Sequence, residues 1–102
     1  MSRIDQLQQM LEEDPHDVFL YYALGMEFLN SDVTKAVIQF EKVLQMDASY
    51  VAAYYQLGQI WLQQNNPTKA LVLLKQGRQE ALKQNNRKAA GEFEEAIFLA
   101  ED

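Results

Sequence analysis

An all-α fold is what this 102-residue sequence predicts, and three observations predict it. Only two prolines and four glycines interrupt the chain. Gln, Leu, Ala, Lys and Glu, all good helix formers, dominate it, while β-branched residues are sparse. Apolar positions recur at three and four residues rather than alternating.

Each helix has a start or stop signal. Ser2, with Asp5 three residues on, forms a near capping box for a first helix striped by Ile4, Leu7, Met10 and Leu11, which Asp14-Pro15 ends. A second helix runs from near Asp17 to about Asn30. Asn30-Ser31-Asp32 is turn chemistry, with Asp32 capping a third helix that carries Ala36, Val37, Phe40, Val43 and Leu44. Asp47-Ala48-Ser49 separates this from a fourth helix, Tyr50 to Gln64. Asn66 then caps a fifth helix with Pro67 at its first position, ending near Gln84. Asn85-Asn86 opens a sixth that ends near Ala100. Short connections imply antiparallel neighbours.

The fourth and fifth helices repeat the second and third. Tyr21-x-x-Leu24-Gly25-x-x-Phe28 is matched 33 residues later by Tyr54-x-x-Leu57-Gly58-x-x-Trp61. Ala36-x-x-x-Phe40-x-x-Val43 is matched 34 residues later by Ala70-x-x-x-Leu74-x-x-Gly77. This spacing of aromatic, Leu-Gly, aromatic and alanine resembles the tetratricopeptide repeat. The resemblance implies an α-solenoid of antiparallel helix pairs in one domain spanning 1–102. Residues 1–15 would be a half-repeat helix, 16–48 and 49–84 two repeats, and 85–102 a capping helix. There are departures: Ala48 replaces the closing proline, and Arg87 and Glu94 flank Gly91 where aromatics belong. Gly25, Gly58, Ala36 and Ala70 let facing helices approach, so Gly25→Leu should overpack its contact at a cost of about 1–3 kcal/mol.

Composition narrows the function. A formal charge of −6 argues against a general nucleic-acid binder, which needs a basic surface to release counterions. With no cysteine there is no disulfide, thiolate nucleophile or Cys-based zinc site. His16, the single histidine, has no second ligand beside it. The acidic clusters Glu12, Glu13, Asp14, Asp17 and Glu92, Glu94, Glu95 read as solvated faces, and no phosphate loop or nucleophile motif is present. Neither an enzyme nor a cofactor or metal site is expected. No run of roughly 18 apolar residues spans a membrane, and no apolar segment opens the chain as a leader would, so a cytoplasmic location is the expectation.

The second helix is apolar almost all round. With Tyr21, Leu24, Gly25 and Phe28 used in packing, Phe19, Tyr22, Met26 and Leu29 remain on a single face. The matching face of the fourth helix is Ala52, Tyr55, Gln56, Gln59, Leu62 and Gln63. In the family this face of each first helix lines a concave groove for extended or helical peptides. The resemblance therefore implies a protein or peptide partner held by apolar anchors and hydrogen bonds. Charge-clamp relatives grip a C-terminal carboxylate with Lys and Asn, but Tyr22, Met26 and Gln56 stand at those positions. The last helix, striped by Ala89, Phe93, Ala96, Ile97 and Ala100, either folds across this groove or leaves it open.

Charge is uneven along the chain. Residues 1–47 hold nine acids and three bases, 48–91 one acid and six bases, and 92–102 five acids. The basic block, Lys69, Lys75, Arg78, Lys83, Arg87 and Lys88, reads as a solvated helix face, with an acidic partner or head-to-tail stacking as the alternative. Phe98 and Leu99 fall off the last stripe, so at least one is expected to be exposed. This favours a homodimer contact, and a self-associating scaffold is the second functional reading.

Overall fold

The computed structural model describes residues 1–101. Among them are six helices and no strand: α1 (Arg3–Glu13), α2 (Val18–Phe28), α3 (Val33–Met46), α4 (Val51–Gln63), α5 (Pro67–Lys83) and α6 (Arg87–Ala100). They form two compact units, Met1–Ala48 and Ser49–Asp102.

Helix ends lie where local hydrogen bonding places them. Asp5 N–H donates to Ser2 Oγ at 3.1 Å and Ser2 N–H donates to Asp5 Oδ2 at 3.3 Å, completing the capping box of α1. Carboxylates of Asp17 and Asp32 accept from Phe19 and Lys35 N–H at 3.0 and 3.2 Å, opening α2 and α3. Asn66 and Asn86 do the same for α5 and α6, accepting from Lys69 and Ala89 N–H at 3.2 and 3.1 Å. Only α4, after Tyr50, begins without a side-chain cap.

The asparagine pairs close helices as well as open them. Asn65 and Asn85 take φ of 59° and 57°, a left-handed conformation that asparagine tolerates better than most residues. Asn65 N–H then reaches Leu62 O at 3.1 Å and Asn66 N–H reaches Trp61 O at 2.8 Å. Asn85 and Asn86 bond in the same way to Leu82 and Ala81. Each is a Schellman closure that satisfies the last carbonyls of α4 and α5. The first asparagine of each pair ends one helix and the second starts the next.

In the first unit α2 packs against both α1 and α3. Leu7, Leu20, Leu24, Phe28, Ala36, Phe40 and Val43 are buried. A Cβ added to Gly25 would lie 2.5 Å from Phe40 Cε1, so the missing side chain is what seats that ring. Tyr21 OH donates to Pro15 O at 2.9 Å, tying α2 to the α1–α2 turn.

In the second unit α5 packs between α4 and α6. Gly58 backs onto Leu74 as Gly25 does onto Phe40. Gly77 is a third close approach, which the repeat pattern did not point to: a Cβ there would strike the Phe93 ring and lie 2.7 Å from Tyr54 Cβ. Gly91, despite its register with Gly58, faces nothing within 4 Å. The buried stripe of α6 is Ala90, Phe93, Ala96 and Ile97. It differs from the expected stripe because Ala90, not Ala89, turns toward the core, and Ala100 is only half-buried.

The basic block is largely satisfied within this unit. Lys75 pairs with Glu101 and Arg78 with Glu94, both at 3.6 Å, so acids in α6 and at its C-cap lie against bases of α5. Lys83 reaches Glu80 at 3.3 Å, and the Lys69 ammonium lies 4.1 Å from the Trp61 ring centroid. These contacts are mostly exposed, so each ion pair contributes about 0–1 kcal/mol. They fit the solvated-face reading of the block.

Candidate functional site

The predicted binding residues lie on α2 in the first unit and on α4 in the second. On α2 Phe19 is 56% exposed and Met26 38%. Tyr22 and Leu29 are half-buried, the Tyr22 ring resting 5.5 Å from that of Phe40. This face is apolar and partly open, because Leu20, Leu24, Gly25 and Phe28 are the residues turned into the core.

On α4 the predicted face borders a cleft shared with α6. A space of about 340 Å³ is lined by Val51, Ala52, Tyr55 and Gln56 from α4, and by Asn86, Ala89, Glu92 and Phe93 at α6. A smaller one of about 110 Å³ continues past Tyr55, between Gln59 on α4 and Glu92, Glu95, Ala96 and Leu99 on α6. Tyr55 lines both spaces, its ring 5.6 Å from Phe93 and edge-on to it. Four of the six α4 residues named from the sequence, Ala52, Tyr55, Gln56 and Gln59, line one space or the other. Half-buried Leu62 and exposed Gln63 line neither.

The last helix does not fold across the α4 face. It packs chiefly on α5, with Phe93 seated over Gly77, and so lies alongside α4 as the second wall of the cleft. Besides Val51 and Asn86, the lining residues that the repeat comparison left out of the site are Ala89, Glu92, Phe93, Glu95, Ala96 and Leu99, all on α6. A signal for four of the α6 residues was present. Adding the 33-residue offset between Gly58 and Gly91 to Gln56, Gln59, Leu62 and Gln63 lands on Ala89, Glu92, Glu95 and Ala96.

The chemistry offered is that of a binding surface. The larger space combines aliphatic and aromatic walls with the amide of Gln56 and the carboxylate of Glu92. Its volume is in the range of ordinary ligand clefts. Among the described residues no group of three His, Cys, Asp or Glu side chains could hold a metal ion, and His16 is exposed. No helix of the described residues is long and apolar enough to cross a membrane.

The tetratricopeptide repeat family model matches residues 27–90, well over half of the sequence. The chain belongs to the tetratricopeptide repeat family. A solution structure of a tetratricopeptide repeat domain protein from Salinibacter ruber is 32% identical to it. That likeness covers 86% of this chain and 90% of the other, with a TM-score of 0.80. A crystal structure of a tetratricopeptide repeat domain protein from the same organism is 30% identical over 83% and 97% of the two chains, with a TM-score of 0.78. No curated protein matches this chain at a significant level. Membership places it in the all-α, solenoid-like class of helix-pair repeats, whose members generally mediate protein–protein interaction and not catalysis.

Proposed function

We propose that this tetratricopeptide repeat chain binds a peptide or helix of a partner protein through apolar anchors. The surfaces that would carry it are Phe19, Tyr22 and Met26 on α2 with Leu29 at its C-cap, and Ala52, Tyr55, Gln56, Gln59, Leu62 and Gln63 on α4. The observation that supports this most is the cleft of about 340 Å³ between α4 and α6, with apolar walls and hydrogen-bonding amides at its edge. An apolar side chain buried in such a cleft contributes about 1.5–3 kcal/mol, and side-chain amides can bond the backbone of an extended segment. The proposed register is a half-repeat at 1–15, repeats at 16–48 and 49–84, and a closing helix from 85.

Binding of capped, fluorescein-labelled apolar peptides, followed by anisotropy, tests this. Tyr55→Ala and Tyr22→Ala should each weaken binding at least about tenfold, equivalent to about 1.4 kcal/mol. Parent-like affinity of both variants for every peptide would remove the assignment.

Self-association is a second reading, favoured by one feature. Phe98 and Leu99, adjacent near the end of α6, are 76% and 64% exposed. Two neighbouring large apolar side chains left in water are a candidate contact between copies. If the reading holds, sedimentation should show a dimer that Phe98→Ala dissociates; a monomer at all concentrations excludes it.

A further inference from the structure

We propose that the α4–α6 cleft selects partner segments in which a lysine or arginine lies two residues from an apolar anchor. The proposal rests on the peptide-binding reading and names the partner's chemistry. The larger space is walled by Ala52, Ala89 and Phe93 and suits an uncharged side chain. The smaller space shares Tyr55 and Glu92 with it and adds Glu95, so a pocket bordered by two carboxylates adjoins the more apolar one. No lysine or arginine lines either space.

The remaining acid of α6 and the one that caps its end have partners. Glu94 pairs with Arg78 and Glu101 with Lys75. Among the described residues Glu92 and Glu95 take part in no ion pair. They stand one turn apart on α6, where like charges repel, and a cation between them would relieve that repulsion as well as adding attraction. In an extended peptide, side chains two residues apart point to the same side about 7 Å from each other, a spacing suited to two adjoining pockets. The same carboxylates disfavour a partner that presents its own terminal carboxylate here.

The test compares three capped, fluorescein-labelled peptides of one flexible sequence, each with a leucine anchor and with Lys, Gln or Glu two residues on. The Lys peptide should bind about fivefold tighter than the Gln peptide, with the Glu peptide weakest, as expected for two partly exposed charge contacts. Raising the ionic strength should shrink this advantage. The double substitution Glu92→Gln, Glu95→Gln should bring the Lys peptide to the level of the Gln peptide. If Lys and Gln peptides bind equally and Tyr55→Ala weakens both, the charge selection is wrong while the cleft reading stands. If none of the three binds, both are wrong.

Discussion

A Gly77→Leu variant is expected to lose about 2–3 kcal/mol or more of stability, the cost of forcing a side chain into a packed core. Gly77 is where α5 meets both of its neighbours: the Phe93 ring of α6 lies against it on one side and Tyr54 Cβ of α4 on the other. The ring could be displaced only by moving α6, and a Cβ is fixed to its backbone. In a chain of this size the loss should lower the melting temperature by at least about 10 °C. Gly25→Leu should behave similarly, because it would drive into the buried Phe40 ring. The control is Gly91→Ala. Nothing lies within 4 Å of that position, so the added methyl should raise helix stability by up to about 1 kcal/mol. Thermal melts by circular dichroism of the three variants check this together. A Gly91→Ala variant as damaged as Gly77→Leu would contradict the packing described.

Phe40→Ala should cost about 3–5 kcal/mol, the range for deleting a large buried ring. Phe40 is fully buried on α3, seated against Gly25 and 5.5 Å from the Tyr22 ring. Glycine has no side chain with which to fill the hole, and Leu20, Leu24 and Val43 of the same unit are themselves buried. Urea denaturation of the variant should show a midpoint well below the parent's, with loss of the Tyr22 environment in near-ultraviolet circular dichroism. A shift corresponding to less than about 1 kcal/mol would mean that the site collapses around the missing ring. Because Tyr22 belongs to the proposed α2 binding face, the variant links core packing to that surface. Peptide affinity should fall with it even where the protein remains folded.

How legible the molecule was in its sequence depended on the range of the interaction. Ser2, Asp17, Asp32, Asn66 and Asn86 are caps whose partners lie within three residues, so the helix starts could be read directly. The Asn65-Asn66 and Asn85-Asn86 pairs were legible as boundaries, though not as Schellman closures, which depend on a left-handed φ. The α4 residues Tyr55, Gln56 and Gln59 could be named because the repeat resemblance assigns that face to the groove and helical periodicity says which residues share it. Their partners on α6 could not be named the same way. Arg87 and Glu94 stand where the repeat expects aromatics, and that disguised a register that Gly91 still keeps. Gly77 was missed for a related reason, since its neighbours come from two other helices.

The sequence by itself determined six helices, their approximate ends and the family, because each depends on contacts within a turn or on a spacing of 33 to 34 residues. Only the tertiary structure decided that α6 walls a cleft instead of covering it. That outcome depends on how closely Phe93 can approach Gly77, which sets where α6 lies along α4. Once α6 is placed there, Glu92 and Glu95 come beside Tyr55, while Glu94 and Glu101 turn to the bases of α5. In the linear sequence Glu92, Glu94 and Glu95 form one acidic cluster, and Glu101 falls in the same acidic stretch. Helix geometry divides them, because successive residues on a helix point about 100° apart and face different neighbours.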